Sequence, residues 1–136
     1  MAVRFDADGE DYVRTVTIGS TSTFSLCFWA KLSVDRNNYS TFLCLDDDST
    51  SDLLVIGASS DGTTLFISTE AAAEDLTALT VGTWYFVGVS VNASTTIVRL
   101  RAQGAGSFTS FTPPLGSGTT DITRLRLGNP CTEPSG

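Results

Sequence analysis

The side chains in this chain that could do chemistry are carboxylates, thiols, guanidiniums and aromatic rings; histidine is absent from all 136 residues. That absence removes the most common general base and the imidazole metal ligand, and with them any Ser-His-Asp or Cys-His arrangement. One chemistry that needs no histidine is a carboxylate pair of the kind used in glycosidic hydrolysis, with both acids facing one cleft a few ångströms apart. The glutamates are Glu10, Glu70, Glu74 and Glu133, which fall in turns, in a short alanine-rich piece and in the tail. None lies in an alternating strand array, so no enzymatic activity is expected and no catalytic residue is assigned.

Two acidic stretches have the composition of a cation site. Asp6, Asp8 and Asp11 form one, and Asp46, Asp47 and Asp48 the other; both offer the oxygen ligands that Ca2+ takes. Solvated aspartates bonding their own backbone explain such turns equally well. No cofactor is expected, with Ca2+ on the Asp46, Asp47, Asp48 loop as the alternative. Among the rings, Tyr12, Trp29, Tyr39, Trp84 and Tyr85 could stack on sugars or fill a core. Core packing is the reading for Trp84 and Tyr85. Trp29 shares its strand face with Ser25 and Lys31, which predicts partial exposure. Trp29, Lys31 and Tyr39 are therefore the candidate ligand-binding residues. The sequons Asn38-Tyr39-Ser40 and Asn92-Ala93-Ser94 are read as chance in a Ser/Thr-rich chain.

The formal net charge of −7 argues against general binding to nucleic acid. The charges are unevenly spread. Residues 1–98 carry four basic residues (Arg4, Arg14, Lys31, Arg36) and thirteen acids, whereas residues 99–126 carry Arg99, Arg101, Arg124 and Arg126 against Asp121 alone. These arginines are either solubilising charges or a basic patch that meets an acidic surface of a neighbouring copy or partner. On the second reading Arg99, Arg101, Arg124 and Arg126 are interface candidates. No apolar run is long enough to cross a membrane, and Met1-Ala2-Val3-Arg4 leads straight into a strand pattern, so no membrane partner and no signal peptide are expected. Of the three cysteines, Cys27 and Cys44 fall in strand patterns and Cys131 in a polar tail. The odd count favours reduced thiols, with a Cys27–Cys44 bridge open if their strands are neighbours.

The elements that position these residues are short strands. In Trp84-Tyr85-Phe86-Val87-Gly88-Val89-Ser90-Val91 the side chains alternate, Tyr85, Val87, Val89 and Val91 on one face and Trp84, Phe86, Gly88 and Ser90 on the other. Aromatic and β-branched residues at period two predict a central strand entered through the turn Val81-Gly82-Thr83. Residues 24–32 alternate cleanly as well, with Phe24, Leu26, Phe28, Ala30 and Leu32 toward a core. Further strands are expected over residues 3–5, 12–18, 41–45, 53–56, 65–68, 97–102, 108–111 and 122–127. Asp61-Gly62 is a hairpin signal, and Gln103-Gly104-Ala105-Gly106 a turn. Residues 70–75 are the one helix-prone piece, long enough for a single turn. About ten short strands without a convincing helix predict a two-sheet antiparallel sandwich.

Leu79-Thr80-Val81-Gly82-Thr83-Trp84-Tyr85-Phe86-Val87 and the strand after Asn92-Ala93-Ser94 resemble the laminin-G-like group of concanavalin A-like jelly rolls. Val3 to Val13, with its acidic turn, looks like that group's opening. Phe24 to Lys31 looks like its third strand, and Ile122 to Asn129 like its late strand ending in glycine. The resemblance spans residues 3–129 and implies an all-β jelly-roll sandwich, with 130–136 as a tail. The legume-lectin metal pattern is absent, since it needs a histidine. Members continue past the late Gly-Asn into one more strand beside the first, and nothing after Asn129 matches it. Val3 and Phe5 are therefore expected at an open edge that another subunit completes, with the tail 130–136 folding back or a strand from a longer parent protein as the alternatives. Two functions follow. The first is a structural or decorating subunit of a larger assembly, such as a virion surface protein, located on that particle. The alternative is a module binding carbohydrate or a surface protein, which could be excised from an extracellular parent.

Overall fold

The computed structural model describes residues 13–21, 23–33, 40–46, 52–69, 72–92, 95–115 and 122–127. They form ten strands: β1 (Val13–Thr21), β2 (Phe24–Ala30), β3 (Ser40–Asp46), β4 (Asp52–Ala58), β5 (Thr64–Ser68), β6 (Ala73–Ala78), β7 (Tyr85–Asn92), β8 (Thr95–Ala102), β9 (Thr109–Phe111) and β10 (Ile122–Leu127). These make two antiparallel sheets, a six-stranded one in the order β1-β10-β3-β4-β5-β6 and a four-stranded one in the order β2-β7-β8-β9. No helix long and apolar enough to cross a membrane occurs among the described residues.

Period-two alternation builds the core between the sheets. Leu43 and Leu45 of β3, Leu54 and Ile56 of β4, and Leu65 and Ile67 of β5 meet Val87, Val89 and Val91 of β7 and Val98 and Leu100 of β8. Phe24, Leu26 and Phe28 of β2 pack against this cluster as expected. Each such side chain, removed from water, contributes on the order of 1.5–3 kcal/mol before entropy is counted. The expected central strand is β7, paired with β2 from Tyr85 to Val91 on one side and with β8 from Tyr85 to Asn92 on the other. Its entry turn has Gly82 at φ 82°, and the Gly82 N–H donates to the Leu32 carbonyl at 2.8 Å. Tyr85 is buried, and its hydroxyl oxygen accepts from the Thr80 N–H at 2.9 Å, so this phenol brings its own hydrogen bond into the core.

Three expectations are corrected. Ala73–Ala78 is a strand, although residues 70–75 read as helix-prone. The register Thr64↔Ala78 to Ser68↔Ala73 explains why: β5 offers a backbone edge, and a ladder outweighs a weak helical propensity over so few residues. Trp84 is half-buried on the outward side, while Tyr85 beside it fills the core, because adjacent strand residues point to opposite faces. Cys44 is disulfide-bonded rather than reduced, and Cys27 is free. A Cys27–Cys44 bridge is excluded geometrically: β2 and β3 lie in different sheets, and each cysteine is on the face turned away from the core. The expected edge at Val3 and Phe5, and Cys131, lie outside the described residues.

Candidate functional site

The outward face of the four-stranded sheet collects most of the residues singled out by sequence. Inward alternation on β2, β7 and β8 forces Ser25, Cys27 and Trp29, then Phe86, Gly88 and Ser90, then Ile97, Arg99 and Arg101 to the other side. The register assembles them into rows. Trp29 pairs with Phe86 and Phe86 with Arg101; Cys27 pairs with Gly88 and Gly88 with Arg99; Ser25 pairs with Ser90 and Ser90 with Ile97.

The first row is a chain of ring contacts. Trp29 is 50% exposed and meets Phe86 edge-on, with centroids 5.6 Å apart. Phe86 meets Phe108 in the same manner at 5.7 Å, and Phe108 is 45% exposed. The Arg101 guanidinium lies 4.8 Å from the Phe108 centroid, and the Lys31 ammonium 5.3 Å from that of Trp84. Each cation–ring contact is worth about 0.5–1 kcal/mol at an exposed site. Its larger consequence is to hold flexible cations flat against a platform. The second row has a gap in it. Gly88 carries no side chain, and a shallow hollow of about 260 Å³ opens there, bordered by Ser25, Cys27, Ser90 and Arg99. Ser25 and Ser90 are joined through their hydroxyls at 3.0 Å.

Trp29, Lys31, Arg99 and Arg101 thus come together. Tyr39 lies outside the described residues. Arg124 and Arg126 are elsewhere, because β10 belongs to the six-stranded sheet; the four arginines are split between two sheets. Arg126 has an internal partner: its Nε stands 2.8 Å from Oδ2 of Asp46, whose side chain is fully buried. The strand register explains the pair, since Arg126 lies opposite Cys44 and Asp46 is two residues further along the same face. Asp46, expected in a Ca2+ site, is instead engaged by a guanidinium; Asp47 and Asp48 lie outside the described residues. No group of three or more metal-ligating side chains occurs among the described residues. Phe86, Gly88 and Phe108 were not singled out by sequence. The signal for Phe86 and Gly88 was present in the alternation of β7; nothing local marks Phe108.

Asp61, at the tip of the β4–β5 hairpin, has its pKa pulled down to about 2, chiefly by the Thr64 hydroxyl and backbone N–H and then by the Thr63 N–H. Its Oδ1 accepts from those amides at 2.7 and 2.8 Å, a turn-closing role far from the aromatic face.

No protein-family profile and no curated protein sequence matches the chain. Solved structures do. The homodimeric agglutinin CG-16 from chicken liver superposes with a TM-score of 0.56 at 16% identity, over 88% of this chain and 93% of the agglutinin. The scytalido-glutamic peptidase superposes with a TM-score of 0.53 at 15% identity, over 81% of this chain and 61% of the peptidase. A heptameric SAP-like pentraxin from Limulus polyphemus gives 0.50 at 16% identity, over 82% of this chain and 54% of the pentraxin. This chain therefore spans less than two thirds of the latter two proteins. With the two packed sheets, these likenesses define the fold: a concanavalin A-like jelly-roll sandwich. At such identities the likeness is one of fold, and what this protein binds has to come from its own surface.

Proposed function

We propose that the protein is a non-catalytic, lectin-like module that presents the outward face of its four-stranded sheet to carbohydrate. One observation carries the reading: a half-exposed indole, Trp29, braced edge-on by Phe86 and flanked by fixed cations on a sheet face with a hollow at its centre. Such a ring keeps an apolar platform in water at little entropic cost, which suits the C–H face of a pyranose. The absence of catalysis rests on the placement of the acids. Asp46 is held by Arg126, Asp61 closes its own turn, and every described carboxylate belongs to the six-stranded sheet or its hairpin. Among the described residues, no acid pair stands beside the platform. Trp29→Ala should abolish retention on a polysaccharide gel while moving the melting temperature by no more than about two degrees. Retention equal to the parent's would refute the reading, and release of reducing ends from the polymer would refute the non-catalytic part.

A second reading keeps the assembly role, with the protein as a decorating subunit of a particle such as a virion. The segregation of charge favours it, because a face bearing Lys31, Arg99 and Arg101 in a chain of net charge −7 can dock on the acidic side of another copy. Light scattering decides: a monomer at the highest soluble concentration counts against self-assembly.

A further inference from the structure

We propose that the saccharide this face takes is anionic, a carboxylated or sulfated polysaccharide that lays a sugar ring beside Trp29 and sets its acid group over Gly88 against Arg99. The inference rests on the carbohydrate-binding reading and adds the ligand's chemical class.

Charge complementarity carries it. The described carboxylates are Asp46, Asp52, Asp61, Glu74 and Asp75, all on β3, β4, β6 or the β4–β5 hairpin. Among the described residues, the outward positions of β2, β7 and β8 and the segment 31–33 after β2 carry Lys31, Arg99 and Arg101 and no acid. Among the described residues, the surface beside the exposed rings is thus cationic in an otherwise acidic protein. Lys31 and Arg101 rest on rings, whereas Arg99 is exposed, lies next to Gly88 in register and borders the hollow. A guanidinium in that position suits a carboxylate or sulfate with two parallel N–H donors, and the paired hydroxyls of Ser25 and Ser90 border the opposite side. A neutral sugar would leave the cationic donors facing water and gain nothing from them.

Gly88 gives the hollow its depth. A Cβ built there would meet nothing nearer than a Phe86 ring carbon at 3.5 Å and Arg99 at 4.0 Å, so the fold does not require glycine at this position. The missing side chain leaves room for something outside the chain. At about 260 Å³ the hollow is smaller than the roughly 300 Å³ at which small-molecule pockets begin, which fits one unit of a polymer lying across the sheet.

The test is affinity electrophoresis of the full chain through gels containing polygalacturonate, dextran sulfate or neutral dextran. Retardation by one or both acidic polymers, absent with dextran and fading between 0.05 and 0.5 M salt, is the expected result, and the two acidic gels separate carboxylate from sulfate. Gly88→Val and, as a second variant independent of packing, Arg99→Gln should each weaken retardation about tenfold with unchanged melting. Equal retardation by dextran would overturn the anionic assignment and leave the carbohydrate reading standing. No retardation in any gel overturns both. Retention of the acidic polymers by both variants, or equal binding of single-stranded DNA, overturns the proposal in favour of diffuse charge attraction.

Discussion

The two outward faces of the sandwich use the same materials in opposite ways. On the six-stranded sheet a glycine, an aromatic ring and a cysteine are closed in. Cys44, Val55 and Phe66 form a buried cluster outside the main core, and Cys44 is disulfide-bonded. A Cβ at Gly57 would lie 2.9 Å from the Phe66 ring and would clash with the Ser40 carbonyl oxygen. On the four-stranded sheet a glycine, aromatic rings and a cysteine are left open: Gly88 borders a hollow, Trp29 and Phe108 are about half exposed, and Cys27 is a free, exposed thiol. Arginine follows the same division, Arg126 reaching the fully buried Asp46 and Arg99 facing solvent. One face is organised for stability. The other gives up burial and leaves large rings in water, the feature on which the proposed binding face rests.

The strongest way to break this comparison is to remove Arg126. Arg126→Met should destabilise the fold by about 3 kcal/mol, the low end for a broken buried pair because the guanidinium is partly exposed. Arg99→Met should change stability by less than about 0.5 kcal/mol. Urea unfolding of the two variants measures the contrast, and equal midpoints would show that the faces do not differ as described.

Glycine sharpens it next. Gly57→Ala must push a backbone carbonyl and a packed ring apart, which costs about 1–3 kcal/mol. Gly88→Ala meets only ordinary contacts and should stay within about 0.5 kcal/mol of the parent, or gain slightly from a stiffer unfolded chain. A Gly88→Ala variant that melts lower than Gly57→Ala would reverse the assignment of packed and open faces.

Much of the fold was legible because its signals are local. The alternation of residues 24–32 and 84–91 placed β2 and β7 and sorted their faces, so Trp29, Ser25 and Lys31 were read correctly as outward. Asp61-Gly62 and Gly82 marked turns, with Gly62 at φ 76° and Gly82 at φ 82°. What stayed hidden depends on pairing between distant segments. The strand at Ala73–Ala78 exists because β5 lies beside it. Arg126 and Asp46 meet because β10 inserts next to β3, which no spacing in the sequence announces. The grouping of four arginines failed for the same reason, since closeness in sequence between residues 99 and 126 spans two sheets. Trp84 was misread because it precedes β7, where the next residue, not the larger one, turns inward.

A smaller effect separates the faces by pH. Asp61 ties the hairpin of the six-stranded sheet and titrates at about 2 against an ordinary 3.8. A carboxyl lowered on folding contributes stability that is complete above its unfolded value and is lost as pH falls from about 3.8 through about 2. The difference in melting temperature between the parent and Asp61→Asn should accordingly be largest at pH 5 and close by pH 2. A difference that stays constant over that window would show that the amide satisfies the turn as well as the carboxylate does.

The least perturbing experiment should leave stability alone and still find the open face. Cys27 is exposed, and Cys44 is engaged in its disulfide, so a maleimide applied to the folded protein should modify Cys27. Because Cys27 sits outward on an edge strand of the sheet, opposite Gly88, the adduct adds bulk over the hollow without entering the core. The expected outcome is a melting temperature within about one degree of the unlabelled protein together with loss of retardation in acidic polysaccharide gels. Protection of Cys27 from labelling by the same polysaccharide would be the reciprocal sign that both compete for one surface. An adduct that binds as well as the parent would place the contact away from the Cys27–Gly88–Arg99 row, and one that unfolds the protein would show that this face is as structurally committed as the other.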